Sequence, residues 1–148
     1  MILNKKLCIG TAQFGTKYGI SNKSGKIKKK ELDKLFFILK KEKIKFLDTS
    51  IDYKNCEKIL NRLNLKKIKV ISKIPKIPKK CSDINKWIEN KVIFSLKKIN
   101  KKSFYAILLH NPDDMLTNKA NVIYKSLLKL KKLKKIEKIG ISIYDFEN

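Results

Sequence analysis

The apolar run Phe104–Leu109 constrains the fold of this 148-residue chain more than any other stretch of its sequence. Its six residues, FYAILL, carry no charge and have the length of a single strand. Strands that are apolar at nearly every position are buried on both faces, which is typical of parallel sheets. The sequence therefore predicts a parallel sheet that contains residues 104–109 as one of its strands.

Strand-like and helix-like segments alternate along the chain. The segments that predict strands, by their short apolar runs, are residues 6–11, 44–48, 67–73, 104–109 and 138–143. The segments that predict helices, by apolar side chains at helical spacing, are residues 28–42, 55–63, 82–99 and 118–134. Asn55 and Ser82 are the predicted caps of the second and third helices.

This order implies a parallel sheet with right-handed crossovers, as in a doubly wound sheet or a (β/α) barrel. A dinucleotide-binding doubly wound sheet would have a Gly-x-Gly-x-x-Gly turn after the first strand, and Gly10 and Gly15 have the wrong spacing for it. The barrel is therefore favoured.

The charge of the chain is strongly positive, with 37 basic and 13 acidic residues and a net charge of +24. Such a charge would attract nucleic acid. Arg62 is the only arginine, however, and base readout and bidentate phosphate contacts favour arginine. The composition therefore predicts lysines on solvated faces and disfavours a nucleic-acid partner.

The three cysteines, Cys8, Cys56 and Cys81, are odd in number and widely spaced, so a reducing compartment is predicted rather than a disulfide framework. They could form a zinc site with His110, but no Cys-x-x-Cys pair supports one, and no metal is predicted. The N-terminus lacks the apolar region of a secretory signal, and no stretch is long enough to span a bilayer. We expect a cytoplasmic protein.

Polar side chains stand where the predicted strands end. Asp48 ends the second strand and Tyr53 lies in the loop after it, while Lys73, His110 and Ser142 end the next three strands. Each has an ordinary explanation alone, as a solvated group at a strand end. In a (β/α) barrel, however, the carboxyl ends of the strands form one rim, where catalytic groups lie. Polar groups delivered by four successive strands indicate a site at this rim.

The chain resembles the aldo/keto reductases over essentially its whole length. The segments that carry the resemblance are residues 7–15 (LCIGTAQFG), 46–50 (FLDTS), 53 (Y), 72–73 (SK), 108–112 (LLHNP) and 139–142 (IGIS). The resemblance implies an incomplete TIM-type (β/α) barrel of about five parallel strands and four helices, with residues 1–148 as a single partial domain. It also implies an oxidoreductase that reduces an aldehyde, a ketone or a sugar by hydride transfer from NADP(H).

By resemblance, the catalytic tetrad is Asp48, Tyr53, Lys73 and His110, with Tyr53 as the general acid that protonates the carbonyl oxygen. A phenol titrates near pH 10 when unperturbed, and a neighbouring ammonium lowers its pKa by favouring the phenolate. Asp48 would hold Lys73 charged and in place by an ion pair. His110 would donate a hydrogen bond to the carbonyl oxygen and orient it.

The resemblance assigns cofactor contacts to Gly10, Thr11, Asp48 and Ser142, at the nicotinamide end. Ile143 stands where the family commonly has an asparagine after that serine. In the family, later strands hold the phosphates and adenosine of the cofactor, and later loops choose the substrate.

A complete barrel needs about 250 residues, and the five predicted strands would leave two strand edges open to pairing. We therefore expect an enzyme whose barrel is completed by a second chain or in a homodimer. The alternatives are an inactive remnant that acts at most as an interaction module, and a basic half-barrel that binds nucleic acid.

Overall fold

The computed structural model describes residues 7–19, 22–23 and 25–143. They form one sheet of five parallel strands in the order β1-β2-β3-β4-β5. The strands are β1 (Cys8–Gly10), β2 (Phe46–Asp48), β3 (Lys69–Ile74), β4 (Phe104–Leu109) and β5 (Ile136–Ile141). Sequential order of parallel strands joined by helices is the arrangement of a (β/α) barrel, so the predicted α/β fold, an incomplete TIM-type barrel, is confirmed.

Five α-helices connect or follow these strands within the described residues. They are α1 (Ala12–Gly15), α2 (Lys29–Lys41), α3 (Cys56–Asn61), α4 (Ile84–Lys98) and α5 (Ala120–Lys132), with a 3-10 helix at Pro112–Leu116. The four predicted helices are confirmed, whereas the single turn α1 was not predicted because the glycines that follow it indicate a loop. None of these helices is long and apolar enough to cross a lipid bilayer.

Two predicted helix caps differ from the structure. The side chain of Asp83, not of Ser82, caps α4 by accepting a hydrogen bond of 2.8 Å from the Lys86 amide. The prediction for Ser82 was wrong because two adjacent residues have capping side chains, and only the second reaches a free amide of the first turn. Asn55 does precede α3, but it has φ of 59° and makes no side-chain cap bond.

The fifth strand begins two residues earlier than predicted. Ile136 pairs with Phe104 and is only 1% exposed, because its side chain packs into the core where α5 ends. The first predicted strand included Lys6, which lies outside the described residues.

The hydrophobic core lies between the helices and one face of the sheet, which we call the outer face. Residues that pair in register share a face, and several on the outer face of β2, β3 and β4 are almost completely buried. They include Leu47, Val70, Ser72, Ile74, Ile107 and Leu109. The opposite, inner face carries the polar groups of the predicted site.

Candidate active site

Backbone hydrogen bonds extend the parallel ladder past the strand ends and hold the residues that follow each strand at one rim. The amide of His110 donates to the carbonyl of Ile74 at 3.0 Å. The amide of Ser142 donates to the carbonyl of Leu109 at 2.9 Å. These bonds place His110 and Ser142 on neighbouring positions just beyond β4 and β5, at the rim where Asp48 ends β2.

Asp48 and Lys73 form an ion pair across β2 and β3. The Lys73 Nζ lies 2.6 Å from Oδ1 and 2.5 Å from Oδ2 of Asp48, and it donates to the carbonyl of Thr49 at 3.1 Å. Lys73 is 6% exposed, whereas 32% of the Asp48 side chain is accessible. A buried ammonium needs such a partner, because its desolvation would otherwise be costly. The pair therefore fixes a positive charge just below the surface of the rim.

Tyr53 lies next to this charge and next to His110. Its ring centroid is 5.7 Å from the Lys73 Nζ and 6.2 Å from the centroid of the His110 ring, with the two rings at 79°. The loop is held by the Tyr53 amide, which donates to the carbonyl of Ser50 at 3.1 Å. The structure thus brings together the four residues of the predicted tetrad, from β2, the loop after it, β3 and the end of β4.

A close backbone approach supports the Tyr53 loop. A Cβ at Gly15 would lie 1.6 Å from the carbonyl oxygen of Lys54 and 2.7 Å from the amide nitrogen of Cys56. Only glycine allows α1 to come this near to the start of α3. The Tyr18 ring also packs on Tyr53, with centroids 5.9 Å apart.

The predicted cofactor residues have different surroundings. A Cβ at Gly10 would meet nothing within 4 Å, so this end of β1 borders open space. Ser142 is partly exposed at the rim. Thr11 is completely buried, and its hydroxyl donates to the carbonyl of Asp48 at 2.9 Å. The Thr11 side chain therefore ties β1 to β2, while Gly10, Asp48 and Ser142 present accessible surface.

The electrostatic environment of His110 favours its neutral form. Partial burial lowers the pKa of His110 most, and the Lys73 ammonium lowers it further, whereas Asp52 and Asp48 oppose this shift. An unperturbed histidine titrates near pH 6.5, so a pKa lowered from that value favours the neutral ring at pH 7. It can donate or accept a hydrogen bond there, but it cannot act as a strong acid.

Sequence reasoning missed Ser50, which contacts His110. The Ser50 hydroxyl lies 3.3 Å from the Nδ1 atom of His110 and is completely buried. Its position two residues after the end of β2, between Asp48 and Tyr53, was the only signal in the sequence, because the contact joins residues 60 positions apart.

The sequence profile of the aldo/keto reductase family matches residues 6–148. The chain belongs to the aldo/keto reductase family. No curated protein matches this chain at a significant level.

Solved structures of aldo-keto reductases share its fold. A Pseudomonas aeruginosa protein assigned to this class superimposes with a TM-score of 0.73 at 23% identity, covering 91% of this chain and 54% of that one. The holo form of a Bacillus halodurans aldo-keto reductase gives a TM-score of 0.69 at 17% identity, covering 92% and 45%. An NADPH complex of an aldo-keto reductase from Klebsiella pneumoniae gives a TM-score of 0.57 at 19% identity, covering 70% of this chain and 36% of that one. The chain spans about half the length of the first two of these structures.

Proposed function

We propose that this protein is an oxidoreductase that reduces the carbonyl of an aldehyde, a ketone or a sugar with NADP(H), in a barrel completed by a second chain or in a homodimer. Residues 1–148 would then be one partial reductase domain. The observation that carries the proposal is the buried Lys73–Asp48 ion pair, with Tyr53 and His110 beside it at one rim. Lysine side chains are normally exposed to water. The burial of Lys73 at the rim therefore favours a role for its charge in the site.

Each residue has a role that follows from its position. Tyr53 gives its proton to the carbonyl oxygen, and the nearby Lys73 ammonium stabilises the phenolate that remains. Asp48 holds that ammonium in place. Neutral His110 donates a hydrogen bond to the same oxygen and orients the carbonyl. A reduced nicotinamide would supply the hydride to the carbonyl carbon.

The accessible residues at the rim fit the nicotinamide end of such a cofactor. Gly10 leaves open space at the end of β1, and Ser142 has a partly exposed hydroxyl at the end of β5. Asp48 borders the same space. The Thr11 hydroxyl already donates a hydrogen bond to the Asp48 carbonyl, so Thr11 would help to position Gly10 and Asp48 and would not contact the cofactor with its side chain. The Klebsiella pneumoniae neighbour, a complex with NADPH, supports the choice of cofactor. The cytoplasmic location stays a prediction from the sequence.

The test is carbonyl-dependent oxidation of NADPH. The chain would be assayed alone at concentrations that favour dimers, and together with the polypeptide encoded immediately downstream. We expect Tyr53→Phe to lower kcat about 10²–10⁴-fold, because the proton donor is lost. Tyr124→Phe, on the exposed surface of α5, is the matched control and should leave kcat unchanged. Unchanged turnover in Tyr53→Phe would remove Tyr53 from the mechanism.

The second candidate is an inactive remnant that acts as an interaction module. It is favoured by the coverage of only 54% and 45% of two neighbouring structures. If later strands hold the cofactor phosphates, the 148-residue chain alone binds NADPH weakly. Fluorescence titration with NADPH would measure this affinity, and tight binding by the chain alone would contradict the expectation of weak binding. Turnover in neither assay would favour the remnant.

A further inference from the structure

The Ser50 hydroxyl has three polar neighbours, and together they restrict where its proton lies. It is 3.3 Å from His110 Nδ1, 3.4 Å from the carbonyl oxygen of Lys73 and 3.3 Å from the amide nitrogen of Asp52. A serine hydroxyl donates one hydrogen bond and accepts up to two. The Asp52 amide can only donate, so it occupies one of the two acceptor sites.

The remaining choice lies between two arrangements. If Ser50 donates to Lys73, then Nδ1 of His110 must carry a proton to bond Ser50, and Nε2 of the neutral ring is bare. If Ser50 donates to Nδ1, the proton of neutral His110 is on Nε2. The Lys73 carbonyl already accepts a hydrogen bond of 3.1 Å from the Ile51 amide. It therefore does not need the Ser50 proton, whereas Ser50 is the hydrogen-bond partner of His110 Nδ1 among the described residues.

We propose that Ser50 is a positioning residue, which donates its hydrogen bond to Nδ1 of His110 and holds the neutral imidazole with its proton on Nε2. Its purpose rests on the proposed reduction, because Nε2–H is the donor that a carbonyl oxygen at the rim would need. Ser50 lies in the short segment from Asp48, at the end of β2, to Tyr53 in the loop that follows. This segment would therefore position the proton donor, the counter-charge of Lys73 and the proton of His110.

Partial burial lowers the pKa of His110, and the charged groups around the ring together with burial favour its neutral form. Lys73 repels a second positive charge, and Asp48 and Asp52 only partly offset that repulsion. The Tyr53 ring faces the His110 ring as well.

Nitrogen NMR of the full chain tests the tautomer directly, because His110 is the only histidine. Correlations between the ring nitrogens and ring C–H protons of ¹⁵N-labelled protein distinguish a protonated nitrogen from a bare one. Above the pKa of His110, we expect Nε2 to be protonated and Nδ1 to be bare. A protonated Nδ1 would overturn the proposal, and this measurement needs no variant.

The Ser50→Ala variant gives an independent test through the same nitrogen spectrum. We expect neutral His110 to shift towards the Nδ1–H tautomer, because the lost hydrogen bond to the bare Nδ1 favoured Nε2–H. Ser50→Thr keeps the hydroxyl and should keep the tautomer of the wild type. An unchanged tautomer ratio in Ser50→Ala would overturn the proposal, because it would mean that Ser50 does not set the position of the proton.

Both readouts are independent of turnover, so they separate this proposal from the reaction itself. In a completed barrel, Ser50→Ala should lower kcat about fivefold with little change in KM, and Ser50→Thr should restore it, since a neutral hydrogen bond contributes about 1 kcal/mol. Unchanged turnover in Tyr53→Phe with an Nε2–H tautomer would refute the reductase mechanism and keep the role of Ser50. Loss of activity in Tyr53→Phe together with an Nδ1–H tautomer would support the reductase mechanism and refute the role of Ser50.

Discussion

The two faces of the sheet differ in how completely this chain covers them. On the outer face, Ile107 and Val70 are fully buried beneath the helices. On the inner face, Cys8 and Lys69 are exposed and Leu108 is half-buried. Residues 107 and 108 are neighbours in the same strand, yet only the first belongs to the finished core. The described part of the chain therefore completes one layer of packing and leaves the other open.

The inner face itself divides into a chemical rim and an aromatic base. At the base, the Lys69 Nζ is 4.6 Å and the Lys138 Nζ 5.0 Å from the centroid of the Tyr105 ring, and Phe46 packs on that ring at 5.3 Å. A hydrogen bond with Tyr105 raises the pKa of Lys138. These two ammonium groups face water, whereas the Lys73 ammonium is enclosed. On the inner face of the described sheet, the buried ion pair therefore lies at the rim and not at the base.

The largest expected effect separates the two faces through a matched pair of substitutions in β4. Ile107→Ala should lower the free energy of unfolding by about 2–5 kcal/mol, because it leaves a cavity in the closed core. Leu108→Ala should cost less than about 1 kcal/mol, because water already reaches its side chain. Equilibrium unfolding in urea measures both. If both variants lose the same free energy of unfolding, the two faces do not differ in coverage, and another surface must cover the inner face in solution.

A second, smaller asymmetry is expected within the ion pair at the rim. Asp48→Asn should destabilise the fold by about 3 kcal/mol, because it leaves the enclosed Lys73 ammonium without a counter-charge. Lys73→Met should cost about 1 kcal/mol or less, because the carboxylate of Asp48 is one-third accessible and can be hydrated. The same urea titrations measure this difference. If Lys73→Met costs more, then the carboxylate is the more enclosed partner.

The sequence was sufficient for the order of elements and for predicting which polar side chains lie together at the rim. Phe104–Leu109 was predicted to the residue because an uninterrupted apolar run, with a polar residue at each side, has clear ends. Asp48, Lys73 and His110 were placed together because each ends a strand, and parallel strands share a rim. Long-range contacts were beyond such reasoning. The Ser50–His110 contact and the approach of Gly15 to Lys54 depend on how loops fold over the rim, which no periodicity encodes.

The smallest expected effect concerns the rate at which thiols react on the two sides of the sheet. Cys8 is exposed on β1, whereas Cys56 is completely buried. Partial burial of the Cys8 thiol raises its pKa, and the charge of Asp48 raises it further. Because the thiolate is the reactive form, alkylation of Cys8 should accelerate at a higher pH than that of a cysteine in the unfolded chain. Mass spectrometry after timed alkylation measures the rate at each cysteine. A Cys8→Ser variant removes the signal of Cys8, so that the alkylation of the partly buried Cys81 can be measured separately.

The same thiol reports whether a partner covers the inner face. Addition of the chain that completes the barrel should slow alkylation of Cys8 towards the rate of Cys56, because β1 and the inner face would then be enclosed. Cys81 lies before α4, outside the sheet, and its rate should not change. If Cys8 stays equally reactive in an active mixture, the barrel does not close over this face, and the rim performs its chemistry with the inner face open to water.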